Sequence, residues 1–212
     1  MKRSSEHCIF GVLVANYLWP QVYSVKKEKD QVWFSLSCVP NHIFGACYIP
    51  PSDSPYFQLN VFATIHEKCI NEEKVFIMGD LNARIPNLER FNSQNGYYTR
   101  NPDTRSNQHG QIIFDLCKEL NVQPINHFNN NNLHRDGGMT FRQRKIWISQ
   151  LDWTLCSTES ISLIKSFEVI RDENLPTNHA VHDSSSVTTI MNSDPSSVTK
   201  FCHKVLKQIY DY

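Results

Sequence analysis

Residues 74–84 read KVFIMGDLNAR. Five residues, Lys74–Met78, form a short and nearly all-apolar run that Gly79 ends. Such a run reads as a strand buried on both faces, of the kind found in the middle of a layered sheet. The strand delivers Asp80 and Asn82 to its carboxyl end, where sites in open α/β sheets lie. The two residues are two apart, so an extended backbone through Asn82 points both side chains the same way. A carboxylate there orients a water or binds Mg²⁺, and an amide donates to a phosphoryl oxygen. An Asp/Asn-rich turn with no chemistry reads equally well from this tetrapeptide alone.

Working outward, the first 50 residues read as strands. CIFGVLV at 8–14, QVWFSLS at 31–37 and HIFGACYI at 42–49 are apolar or alternating, with many β-branched and aromatic side chains. Lys26–Asp30 is a charged turn between strands. Pro50 and Pro51 stop the third strand, and Ser52, Asp53 and Ser54 offer a helix cap. Phe57, Val61, Ile65 and Cys69 then recur every four residues, predicting a helix to about Asn71. Residues 84–107 are polar and broken by Asn, Pro and Gly, and read as a long surface loop. From Gly110, the positions Ile112, Ile113, Leu116, Cys117 and Leu120 mark a second helix. Residues 122–126, 139–142, 150–156, 161–170 and 184–191 read as further strands. Residues 192–199 read as a linker, and Val198, Phe201, Val205 and Ile209 as one face of a closing helix. One domain over 1–191 and a linker with helix over 192–212 follow. Strands interleaved with helices favour a layered α/β domain over an all-β sandwich.

The composition excludes several classes. Lys+Arg and Asp+Glu are both 21, so the formal charge is zero and any nucleic-acid contact must be a local patch. Hydrophobic residues make up 40%, which is enough for a core and too much for a disordered chain. The seven cysteines show no C-x-x-C pair, which argues against a zinc ribbon and for reduced core thiols in the cytoplasm or nucleus. The apolar run Cys8–Ala15 is too short to span a bilayer, so no membrane partner is expected.

Four further positions bear on chemistry. Tyr48 in GACYIPPS sits at a strand end and reaches a phosphate from there. Asp152 in SQLDW is a lone acid inside an apolar strand, and a buried acid needs a partner. His179 in LPTNHA suits that partnership, because an Asp–His pair holds an oriented imidazole. The basic and aromatic stretch FRQRKIW at 141–147, with Arg142, Arg144, Lys145 and Trp147, reads either as a charged hairpin or as a phosphate grip.

Taken in order, GACYIPP, VFIMGDLNAR, TRSNQHGQIIFDLCKELNVQPIN, MTF, SQLDWTLCS and LPTNHAV resemble the endonuclease/exonuclease/phosphatase superfamily. This superfamily includes abasic-site endonucleases and the endonuclease domains of LINE-type retrotransposons, and the wording is most similar to the retrotransposon branch. The resemblance spans roughly residues 9–190. It implies a DNase I-like four-layer α/β sandwich, two packed mixed sheets flanked by helices, here lacking the first strand and helix. It also implies Mg²⁺-dependent cleavage of phosphodiesters, usually in DNA. By the same resemblance, Tyr48 contacts the scissile phosphate, Asp80 orients the attacking water and Asn82 holds a phosphate oxygen. Asp152 pairs with His179, which stabilises charge on the phosphate.

Two departures matter. The family's strand bearing the principal metal-binding Glu has no counterpart, since the sequence begins after it and Glu6 is too near the start to stand in. The family's Ser-Asp-His reads Thr177-Asn178-His179 here, so Asn178 offers a metal only a neutral oxygen. Weak or absent activity is therefore expected. A non-catalytic remnant that binds nucleic acid or protein, and a phosphatase of the same superfamily, are the alternatives.

Overall fold

The computed structural model describes residues 19–71, 74–91, 96–129, 135–136, 138–164, 167–171, 178–179 and 181–183. The strand expected at 8–14, the strand at 184–191, the linker and the closing helix all lie outside these residues.

The chain enters a mixed sheet through β1 (Val22–Lys27), β2 (Gln31–Leu36) and β3 (Val39–Tyr48). Helix α1 (Asn60–Asn71) crosses over to β4 (Lys74–Asp80). After β5 (Tyr97–Tyr98) and α2 (Gln108–Glu119) come β6 (Val122–Pro124) and β7 (Phe128–Asn129). Then follow β8 (Arg135–Asp136), β9 (Phe141–Gln143), β10 (Ile146–Ser149) and β11 (Asp152–Ser157). Strands β12 (Phe167–Ile170) and β13 (Val181–Asp183) close the described chain.

Six strands form the main sheet in the order β1-β2-β3-β4-β11-β6. Strands β3 and β4 are parallel, which requires the α1 crossover, and the other pairings are antiparallel. Smaller sheets pair β9 with β10, β5 with β7, and β12 with both β13 and β8. The run read as a doubly buried strand is β4, and every residue after Lys74 in it is buried. Phe34, Phe44 and Phe76 stack across β2, β3 and β4 with successive ring centroids 5.5 Å apart, fixing the register of the sheet centre. Cys47, Cys117 and Cys156 are buried, in keeping with thiols used as apolar filling.

Three expectations need correction. Helix α1 begins at Asn60, not at the Ser52–Ser54 cluster, because backbone bonds from Ser54 to Pro51 and from Phe57 to Ser54 spend that stretch on turns. Residues 161–170 are not one strand. Thr158 bonds Asn121 through its amide and hydroxyl, and the chain turns there into a 3₁₀ helix, Thr158–Leu163. Ile161 and Ile164, three apart, are both buried by that turn. The polar segment 84–107 is a surface loop only in part, exposed at residues such as 97, 99–100 and 104–106. Its Ile85, Leu88, Phe91 and Tyr98 are buried in the core, as are Asn101 and Asp103. The few apolar residues fall inward, and the Asn101 amide donates to the Ile85 carbonyl at 2.7 Å.

Two buried histidines make stability sensitive to acid. His109 is 1% exposed, and neither ring nitrogen has a hydrogen-bond partner. His42 stacks on Phe76, with its ring nitrogens at Pro40 O and Ser160 Oγ. Burial lowers both pKa values below 6.5, and neighbouring carbonyls offset this only in part. The unfolded chain therefore takes up protons that the folded chain refuses, so stability is full above the unfolded value and falls as pH drops through it. Urea midpoints should decline from about pH 7 to about pH 5. His109→Phe, placed between Phe57 and Phe62, should flatten that decline; an unchanged slope would remove His109 from the explanation.

Candidate active site

Strand β4 ends at Asp80, 5% exposed, and β11 begins at Asp152, 8% exposed. The antiparallel register pairs these two residues directly. The parallel register places Tyr48, half-buried, beside Asp80 on the other flank. Three residues far apart in sequence thus share one edge of the sheet, because three adjacent strands start or stop there.

The backbone does not stay extended through Asn82, as the spacing of two predicts. Asn82 takes a left-handed conformation, φ 45°, which Asn tolerates better than most residues. Its N–H donates to Asp80 Oδ1 at 3.0 Å, and its side-chain Nδ2 donates to the Ile49 carbonyl at 2.8 Å. Ile49 N–H in turn donates to Asp80 O at 2.8 Å. The turn after β4 is therefore bonded to the end of β3, and one carboxylate oxygen of Asp80 is held by backbone.

His179 is 9% exposed and arrives beside β9 through a bridge to Phe141, whose ring centroid lies 5.1 Å from its own. Nδ1 lies 2.9 Å from Asp152 Oδ2. A carboxylate only accepts, so Nδ1–H donates and Nε2 faces the other way. Nε2 lies 3.9 Å from Asp80 Oδ2. Asp80, Asp152 and His179 each place one ligand atom within 4.8 Å of the others. Two carboxylates this close repel one another, and an imidazolium or a cation between them offsets the repulsion.

Thr140, fully buried, supports this geometry and was not singled out from the sequence. Its Oγ1 accepts the N–H groups of Leu151 and Asp152 at 2.9 and 3.0 Å. The MTF stretch marks the position, but a Thr accepting two backbone amides has no local sequence signal. Asn178 is exposed, and its carbonyl accepts the Arg142 N–H at 2.8 Å.

The FRQRKIW stretch is the β9–β10 hairpin. Arg142 is buried, its guanidinium 5.6 Å from the Trp147 ring centroid, so it is not part of a surface grip. Arg144 and Lys145 form the exposed tip, both left-handed at φ 49° and 69°. Two positive-φ residues make a tight hairpin turn, a place normally taken by Asn or Gly. No helix among the described residues is long and apolar enough to cross a membrane.

No protein-family model matches the sequence, and no curated protein does. Solved structures do match. The 3'-5' exonuclease NExo from Neisseria meningitidis aligns with TM-score 0.50 and 16% identity, over 81% of this chain and 67% of that one. A structure of 3' phosphatase NExo from Neisseria bound to a product DNA hairpin aligns with the same score and identity, over 81% and 66%. The endonuclease domain of TRAS1, a telomere-specific non-LTR retrotransposon, gives 0.44 and 14%, over 71% and 58%. This chain spans about two thirds of the length of the NExo structures.

Proposed function

From this shared fold, that of the endonuclease/exonuclease/phosphatase superfamily, we propose a divalent-metal-dependent hydrolase of DNA phosphodiesters, of retrotransposon origin and low activity. The observation that carries the reading is the convergence of Asp80, Asp152 and His179 at one sheet edge. Asp152 fixes the ring through Nδ1–H, and in the imidazolium form that the neighbouring carboxylates favour, Nε2 also carries a proton toward the reacting phosphate. Asp80 Oδ2 accepts a hydrogen bond from the attacking water and orients it. Tyr48 lies at the same edge to steady a phosphoryl oxygen, and the Asn82 side-chain amide, one N–H of which donates to the Ile49 carbonyl, has a second N–H to offer.

A metal site fits the chemistry of the donors in part. Mg²⁺ prefers carboxylate and amide oxygens and keeps several waters. Asp80 would supply a carboxylate oxygen, and Asn178, exposed and next to His179 in the sequence, would supply a neutral one. When bound, the ion neutralises charge on the phosphoryl oxygen. Two acids and an imidazole are a lean set for so hard an ion, which is why weak affinity and slow turnover are expected.

The test is nicking of supercoiled plasmid against divalent ion concentration. The expected result is slow nicking that chelation stops and Asp80→Asn removes. Nicking that survives Asp80→Asn would overturn the reading. A faster reaction on a 3'-phosphate or small phosphodiester would favour the phosphatase alternative.

The hairpin tip favours a second reading, a domain that binds DNA without cutting it. Arg144 and Lys145 would act as phosphate contacts. Replacing both by Ala should weaken binding evenly across sequences and lower the salt slope by about 2. An unchanged slope leaves the hairpin a solvated turn.

A further inference from the structure

Asn107 joins the candidate site to helix α2 in a way that neither the fold nor the catalytic trio requires. It is the N-cap of α2, and its Oδ1 accepts the Gly110 N–H at 2.8 Å. That alone is an ordinary helix cap. The same Oδ1 also accepts the Arg84 N–H at 2.9 Å. Its Nδ2 donates to the Asn82 carbonyl at 2.7 Å. One side-chain amide therefore holds both ends of the left-handed turn that follows Asp80. The approach of helix to turn is close: a Cβ at Gly110 would lie 1.9 Å from the Arg84 carbonyl oxygen. Helix and turn are thus packed backbone to backbone, with the Asn107 amide as the bonded link.

Four residues upstream, Asp103 makes the matching connection on the other strand. It is 1% exposed and its Oδ2 accepts the Gln150 N–H at 3.1 Å, two residues before Asp152. Arg84 and Arg105 balance its charge at 3.1 and 2.9 Å. Residues 103–107 therefore bond to the chain next to both carboxylates of the site.

We propose that Asn107 is a positioning residue for the chemistry at Asp80, acting through the Asn82–Arg84 turn. The proposal rests on the hydrolase reading above. The turn holds Asp80 Oδ1 through the Asn82 N–H, which leaves Oδ2 facing His179. Loosening the turn frees the carboxylate to rotate and moves the Asn82 amide with it.

Asn107→Asp separates this role from capping. Asp keeps the acceptor for Gly110 and Arg84, so α2 stays capped. It loses the donor to the Asn82 carbonyl and sets an oxygen against an oxygen. The expected result is a melting temperature lowered by only a few degrees, a fall in kcat of at least about tenfold with KM little altered, and faster amide exchange at Asn82. Asn107→Ser, a cap without added charge and without the longer amide NH₂, should behave the same way and serves if the Asp variant folds poorly. Full activity in Asn107→Asp beside a dead Asp80→Asn overturns the proposal while leaving the hydrolase reading intact. Should the unaltered protein not nick at all, the hydrolase reading fails and exchange at Asn82 alone judges the clamp: unchanged protection in the variant overturns it.

Discussion

Replacing His179 with Ala is expected to slow phosphodiester cleavage by a factor on the order of 10² to 10⁴, with the chain still folded. The loss comes from a proton that is no longer held at Nε2, next to Asp80 Oδ2 at 3.9 Å. Asp152→Asn should cost nearly as much. Its carboxylate accepts from Nδ1 at 2.9 Å, and its charge favours the doubly protonated imidazolium, the form that carries the outward proton at Nε2. An amide in its place brings no charge, so the ring loses the counter-charge that favours the imidazolium. Because the two residues act as one unit, the double variant should be hardly slower than either single one. Single-turnover nicking at fixed divalent concentration measures all three. Losses that simply multiply would mean His179 and Asp152 work separately, and an active His179→Ala protein would end the assignment.

The site was legible in the sequence as residue types but not as geometry. Asp80, Asp152 and His179 were each marked by a local oddity: an acid ending an apolar run, an acid inside one, a histidine in a late loop. Their meeting depends on β11 pairing antiparallel to β4 with Asp152 opposite Asp80, and a pairing of residues 72 apart leaves no local trace. The period-two argument for Asn82 failed for a physical reason. It assumed strand geometry beyond Gly79, whereas the Asp80 carboxylate captures the Asn82 N–H and bends the chain into a left-handed turn. Short polar side chains compete with the ladder for backbone donors wherever a strand ends.

The segment 84–107 shows the same limit on a larger scale. Its polarity suggested solvent, yet three of its polar side chains are satisfied by partners inside the protein. Asn101 bonds Ile85 O, Asn107 bonds three backbone groups, and Asp103 bonds two arginines and the Gln150 N–H. Hydropathy counts such residues as exposed because it cannot see partners. The central strands were read well because apolar periodicity is a local property, and β2, β3 and β4 have it.

Gly79→Ala should cost more stability than any surface change, because the site edge is built on a close approach of two backbones. Gly79 has φ 142°, a conformation that side chains rarely adopt. A Cβ there would lie 1.9 Å from the Cys47 carbonyl oxygen and 3.0 Å from its carbon. Strand β4 cannot step aside, since β3 flanks it on one side and β11 on the other, with Trp153 opposite Gly79. Relief therefore requires β3 and β4 to part where the Ile49 N–H meets the Asp80 carbonyl, next to Tyr48 and Asp80 themselves. A loss above about 3 kcal/mol is expected from urea unfolding, against about 0.5 kcal/mol or less for exposed Glu67→Ala. Cleavage should fall with it even at temperatures where the variant remains folded, because the same separation turns Asp80 away from His179. A variant within about 1 kcal/mol of the original would mean the backbone at Gly79 is not strained as described, and the aim of Asp80 would have to be set by something other than this crossing.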